Sequence, residues 1–471
     1  RYNTTGANNT GLGYLALGAN TTATNNTAVG HNALNANTTG HTNTAVGKNA
    51  LDANTTGTNN VALGVNALDD SSTGSFNVAL GASALANNTT ADNNTAVGHG
   101  AMFDNSTGAN NTAVGYLSAG NITTANNNVV VGDRALNTST TSSSTTAIGA
   151  TALYSLATVD NNTAVGFASS YSTTSGGNNT AIGTYSFYTN TSGADNVAVG
   201  HQANFYNTTG SNNVAIGKDA LQKNTTASNN TAVGYRAGVA VTTGTGNTLI
   251  GSEAGDALTD ADLNVALGNM ALSSDTLGGL STAIGYQALK TQNFTSATST
   301  YNVAVGYNSG VLVTTGVQNT LIGSNAGDAI TDSDGNTALG YGALSAEQQG
   351  NKSTAVGWQA LLQANRGSSG DSFNTAVGYN AASGINTGVK NTFIGGGSGS
   401  AVTSGDGNTI LGRFNGNGDF DMRTLDNHVV LSDGEGNPRA RHNSTTWRFS
   451  ANDFGSALEF DGSQFYPLEN N

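Results

Sequence analysis

The sequence predicts an all-β chain: a parallel β-solenoid, or β-roll, of about 24 coils with a 17-residue period, closed by a small C-terminal β cap. Three observations carry this. The stretch N-N-T-A-V-G, first complete at Asn25–Gly30, returns with Val, Ile or Leu before its glycine as far as Gly412. Its closing glycine occurs 24 times, and 21 of the 23 steps between copies match the step from Gly13 to Gly30. The other two steps, Gly285 to Gly306 and Gly357 to Gly378, are longer by four, and the copy that follows each stays in register. An indel that leaves the next copy aligned is expected of a loop on one corner of a repeating coil.

Counting the closing glycine as position 0, position −1 is aliphatic in every copy, which predicts a buried core of Val29, Val46, Leu63, Leu80, Val97, Val114 and their equivalents. Position −2 is mostly Ala and −3 mostly Thr or Val. In a strand, −1 and −3 share one face and −2 takes the other.

Position −4 is Asn in 21 of 24 copies, including Asn26, Asn43, Asn60, Asn77, Asn94 and Asn111. Two readings stand side by side: an amide ladder bonded from coil to coil, or a residue that favours the turn before a strand. Positions +3 and +4, as in Ala33 with Leu34, predict a second short buried strand. The N-T-T-G corner that follows, as at Asn37–Gly40, predicts a glycine with positive φ.

One coil buries few apolar side chains, so stability is expected from stacking along the axis and from sideways association of several chains. At about 4.8 Å per step, the repeats would make a rod of roughly 110 Å.

Composition agrees with a repeat protein. Charged residues are 9% of the 471 and the net charge is −14, which leaves no nucleic-acid footprint and disfavours anionic membranes. There is no cysteine, so disulfides and thiolate metal sites are excluded. No apolar run reaches the ~20 residues of a spanning helix, so no membrane insertion is expected. Asn3–Gly6 matches Asn37–Gly40; the chain therefore opens in mid-repeat, and more chain is expected upstream of Arg1.

Two regions are expected, a repeat rod over 1–412 and a cap or tip over 413–471. From Gly234 a 72-residue super-repeat overlies the short period, with Gly234, Gly306 and Gly378 opening similar blocks. The segment 413–471 holds both prolines and five of the fifteen basic residues. Its aromatics Trp447, Phe449, Phe454, Phe460, Phe465 and Tyr466 are candidates for a cap over the solenoid end or for a contact surface.

Asn212–Gly217, N-N-V-A-I-G, resembles the head repeat of trimeric autotransporter adhesins, whose N-S-V-A-I-G motif builds a left-handed parallel β-roll in three-fold assembly. The period here is longer than the adhesin coil. Val429–Arg439, V-V-L-S-D-G-E-G-N-P-R, is similar to fibre proteins of tailed phages. The resemblance implies a homotrimeric extracellular or virion-surface fibre used in attachment to a cell-surface receptor or glycan.

Catalytic motifs do not occur, and no enzyme is expected. His31, His99 and His201 share position +1 but sit coils apart, too far for a common metal. Asp332, Asp334 and Asn336 resemble half of a calcium loop; calcium is the one cofactor the sequence suggests. Asn20, Asn37, Asn54, Asn207 and Asn224 open N-T-T sequons and are candidate glycosylation sites. The expected function is a rigid attachment rod. The alternative is a subunit that polymerises end to end into an extracellular filament; ice binding by threonine rows is a third, weaker reading.

Overall fold

The computed structural model describes residues 3–418 and 420–450, with the backbone of two further strands at Leu458–Phe460 and Phe465–Pro467. It divides into two compact units, Arg1–Arg236 and Ala237–Asn471. Each is a parallel β-solenoid, and no helix occurs among the described residues.

In the first unit each coil contributes one three-residue strand, from Thr10–Leu12 to Thr231–Val233. Partners lie one sequence period apart: Thr27 beside Thr44, Ala28 beside Ala45, Val29 beside Val46. The period is therefore one circuit of the backbone. The second unit repeats the pattern from Thr248–Ile250 to Thr409–Leu411. Its two long coils keep register, with Ala283 beside Ala304 and Ala355 beside Ala376. Each long coil also makes a small ladder with the coil before it, Thr298–Ser299 with Gly278–Gly279 and Gly370–Asp371 with Gly350–Asn351. Both ladders sit on the same corner of the coil.

The second strand expected in each coil is instead a run of turns. Asn32 and Leu34 hold φ of 59° and 50°, left-handed values flanking Ala33. Successive amides consequently point in opposite directions along the stack. Asn32 N–H donates back to the carbonyl of Tyr14 (2.9 Å), and Leu34 N–H donates forward to that of Ala50 (3.0 Å). Coil-to-coil bonding thus continues without a strand, which answers the need to satisfy every buried backbone group.

The closing glycines are required twice over. Gly30 has φ of 139°, and a Cβ there would lie 2.3 Å from the carbonyl oxygen of Gly47. The corner glycine differs from expectation: Gly40 is not left-handed, and the positive φ falls two positions later, at Thr42 (60°). Close approach explains Gly40, whose Cβ would meet the oxygen of Gly57 at 2.3 Å.

The core reverses the expected assignment of faces. Ala28, Ala33 and Leu34 are fully buried, as are Ala45, Ala50 and Leu51 in the next coil. Val29, Val46, Leu63, Leu80 and Val97 lie on the outer face, partly or largely exposed, and so does Val114. The alternation holds, but the inside of the coil is narrow: opposite a leucine at +4 the −2 residue is alanine in almost every copy, Val130 opposite Leu136 being the largest that the bore takes. Alanine at −2 is the inward side chain because it is small.

Polar side chains complete the interior. Asn26 Nδ2 donates to the carbonyl of Gly40 across the coil (2.9 Å), while its Oδ1 accepts the N–H of Asn43 above (2.8 Å). The same pair of bonds recurs at Asn43, Asn60, Asn77, Asn94 and Asn111. These asparagines do form a ladder, running from amide to backbone. A second row, at position +7, is bonded side chain to side chain: Asn37 Nδ2 to Asn20 Oδ1 (3.0 Å), and Asn54 Nδ2 to Asn37 Oδ1 (2.8 Å).

In the second unit Leu249, Leu321 and Phe393 are large residues at −2, and all are buried. Each is matched by glycine at +4. A Cβ on Gly255 or Gly327 would come within 2.7 Å of Leu249 or Leu321, and one on Gly399 within 2.8 Å of Phe393. Volume lost on one wall is supplied from the other, as close packing demands.

After the last coil, Val429–Ser432 still pairs in parallel with Thr409–Leu411, and the sheet then turns antiparallel through Pro438–His442 and Trp447–Phe449.

The matched pair makes a testable exchange. Leu249→Ala is expected to cost about 2–5 kcal/mol through the cavity it leaves, and Gly255→Leu to destabilise by overpacking. The double variant re-creates the arrangement of Ala147, Leu153 and Leu156, which coexist fully buried in the first unit. It should recover most of the loss, a coupling of about 1–3 kcal/mol in a double-mutant cycle measured by urea unfolding.

Candidate interaction surfaces

Every strand turns −1 and −3 outward, and because strands align residue for residue these side chains form regular rows. In the first unit the −1 row includes Leu63 (48% exposed), Val114, Ile148, Ile182 (40%) and Ile216; in the second it includes Leu267, Leu339, Ile394 and Leu411. The −3 row beside it is Thr or Val. The result on each unit is a flat face of aliphatic residues and threonine. Isolated exposed apolar residues are ordinary, but contiguous rows mark contact surfaces.

Stacking also aligns aromatics. Tyr154, Tyr171, Tyr188 and Phe205 recur once per coil, with centroids 5.1, 5.3 and 5.2 Å apart. At position +1 of the second unit, Trp358 stacks between Tyr341 (6.1 Å) and Tyr379 (4.9 Å). Such near-parallel pairs add about 0.5–1.5 kcal/mol each. The period could have announced these rows. The +1 histidines belong to the same geometry: His31 stacks on Tyr14 and His99 on Tyr116, while His201 lies 4.0 Å from Asp219.

The sequon asparagines are interior. Asn20, Asn37, Asn54, Asn207 and Asn224 are at most 1% exposed. Their amide nitrogens are engaged, Asn207 Nδ2 with Asn190 Oδ1 (2.9 Å) and Asn224 Nδ2 with Asn207 Oδ1 (3.0 Å). A glycan on Nδ2 would have to break the ladder and leave the core, so the folded coil does not present these residues for modification. The polarity of N-T-T-G suggested an exposed corner, but only its threonines face out.

The calcium triplet is likewise dispersed. Asn336 is buried, donates to the carbonyl of Gly350 (3.0 Å) and accepts from Ser353 N (2.9 Å). Asp334 accepts the N–H of Val317 (2.8 Å), and Asp332 accepts the Thr331 hydroxyl. Asn336 is therefore committed to the interior, and these three residues make no common ligand set. No cluster of three or more His, Asp or Glu suited to a metal occurs among the described residues.

Of the tip candidates, Trp447 and Phe449 are half-buried on the third strand of the C-terminal meander, 6.1 Å apart. Phe454 lies outside the described residues, and for Phe460, Phe465 and Tyr466 only the strand backbone is described. The turn before the meander is firmly held. Asp433 accepts from the side chain (3.1 Å) and backbone N–H (2.8 Å) of Asn437 and pairs with Arg439 (2.6 Å), and these bonds hold its carboxyl far below the usual range; it also accepts the N–H of Glu435. Sequence reasoning missed the cationic row on this meander, where Arg441 and Arg448 are register partners. The alternation of R-A-R-H could have signalled it.

Stacking also brings like charges together. Asp52 and Asp69 occupy one row, half-buried. Burial, then the neighbouring charges of Asp52 and Asp70, push the Asp69 carboxyl up to about 6, and burial raises Asp52 as well.

The fold defines the class: a parallel β-solenoid repeat protein in which, within each unit, the repeat strands pair with their copies in the neighbouring coils. No family model matches the chain, and neither the curated proteins nor the solved structures give a significant match.

The Asp69 row sets a pH dependence. The native state holds the Asp69 proton more tightly than the unfolded chain, whose carboxyl titrates near 3.8. Stability contributed by this group is therefore present below about pH 4 and lost as pH rises through about 6. Asp69→Asn should raise the melting temperature above pH 6 and leave it nearly unchanged at pH 4. A thermal scan across pH 4–8 checks this.

Proposed function

We propose that the protein is a structural fibre subunit, working outside the cell or on a virion surface as a rigid attachment rod, and that it self-associates side by side as a homotrimer. The observation that carries this is the outward face of the strands. A solenoid coil buries a single leucine and a few alanines, yet it turns its larger aliphatic residues outward in unbroken rows. Surfaces of this kind are covered in the working form of a protein. A flat, regular row set around a three-fold axis meets the equivalent rows of two other copies, so one repeated face can close a ring.

The adhesin-like N-N-V-A-I-G motif supports the three-fold count. Self-association through strand faces accords with lateral packing, whereas the filament reading calls on the ends of the stack. The C-terminal meander would then serve as cap and tip.

Native mass spectrometry at micromolar concentration should give three times the 47.1 kDa chain mass. Ile182→Asp places a charge in the −1 row but outside the coil interior. It should weaken assembly more than tenfold and leave the circular dichroism of the coil intact. A monomer at all concentrations would sink the trimer, and continuous filaments by electron microscopy would favour end-to-end polymerisation.

A further inference from the structure

The C-terminal meander carries a cavity that the fibre reading does not use. Between the last coil and the meander lies a cleft of about 500 Å³ lined by Phe414, Phe420, Phe449 and the arginine row, and a second of about 310 Å³ adjoins it. Phe420, Arg441 and Arg448 line both. Sites that take small ligands are of this size.

The cleft gathers cations on a chain whose net charge is −14. Arg441 and Arg448 are directly opposite each other on antiparallel strands, an arrangement that like charges destabilise. Arg448 is next paired in register with Glu459. Arg439 is already bound to Asp433 (2.6 Å) and Arg423 to Asp421 (2.7 Å). Arg441 is different. Its guanidinium lies 4.6 Å from the centre of the Phe420 ring, and among the described residues it has no carboxylate partner and no hydrogen bond. Burial and then the charge of Arg448 weaken its hold on its proton.

Half-buried and without an acceptor from the described residues, this fork of five donors loses part of its hydration with nothing there to replace it. An oxyanion of the ligand would remove that cost by the bidentate bonding to which guanidinium is suited.

We propose that this cleft binds an acidic saccharide, with its carboxylate on Arg441 and its ring against the aromatic wall. A bare inorganic anion would need no aromatic lining. Asn417 and Asn437 also line the cavity; the Asn437 amide nitrogen is held by Asp433 (3.1 Å), which leaves Asn417 as the amide for sugar hydroxyls. The inference extends the attachment reading by naming what the tip would recognise. It concerns a cleft within one chain, so its failure and a failure of trimer assembly are separate results.

Isothermal titration of the full chain with a hexuronic-acid disaccharide, the neutral hexose disaccharide of the same linkage and inorganic phosphate provides the test. The acidic disaccharide should bind at least tenfold more tightly than either of the others. Arg441→Gln should lose that binding by at least tenfold, and Phe420→Leu should weaken it. Arg423→Gln, on an exposed ion pair outside the cleft, should leave it unchanged. Should Arg441→Gln alter the melting temperature, Arg441→Lys is read in its place, and it should bind more weakly because a lysine cannot form the bidentate pair. Equal binding of phosphate and the acidic disaccharide, or no binding of any probe, overturns the proposal.

Discussion

Hydrogen bonding between successive coils is the interaction on which everything else rests. Each circuit encloses little more than two alanines, a leucine and two asparagines, too little apolar surface to order a full turn of backbone by itself. What each coil lacks in core it obtains from its neighbours, which accept its amides in the strand, in the left-handed turns and at the asparagine rows. Stability is then additive along each stack, one interface after another, as in other linear repeat proteins.

This economy explains where chemistry can reside. A coil so thin has no room for an internal pocket, and its polar interior is consumed by structure: the asparagines that look available in the sequence are the least available in the fold. Recognition is left to the outside of the coils and to the places where the repeat is interrupted. The outward aliphatic rows, the aromatic stacks and the arginine cleft beyond the last coil are all of this kind. The two four-residue insertions remain structural. The coil before each replaces the buried asparagine by Asp275 or Glu347, whose carboxylates accept the amides of Gly278 (3.0 Å) and Gly350 (2.7 Å).

Much of the architecture was legible because periodicity is a geometric quantity. The recurrence of the closing glycine carried the coil length, the strand position and the alignment across both insertions. Inside and outside were not legible from the strand alone, since alternation states which residues share a face and not which face is buried. Valine at −1 looked like core and alanine at −2 like a flat seam, and the narrow bore inverted both. The deciding signal lay elsewhere in the chain, in the pairing of Leu249 with Gly255 and Phe393 with Gly399. A large residue at −2 answered by the loss of one at +4 says that these two positions meet. The arginine cleft was less legible, because it is formed where non-repeating strands cross and has no period to betray it.

The left-handed leucine has a consequence for how such a chain can vary. At Leu34, Leu51, Leu68 and their equivalents φ lies near 50°, a region where branching at Cβ crowds the backbone and branching one carbon further out does not. Across the copies that position is filled by leucine, methionine, phenylalanine, asparagine, serine, alanine or glycine, and never by valine, isoleucine or threonine. The β-branched residues that crowd the neighbouring strand are absent from this one inward position, although left-handed positions nearer the surface do take threonine, at Thr42 and Thr151. Drift between copies is thus channelled by torsion angles as well as by hydrophobicity, and isoleucine, though leucine's isomer, is not its substitute there.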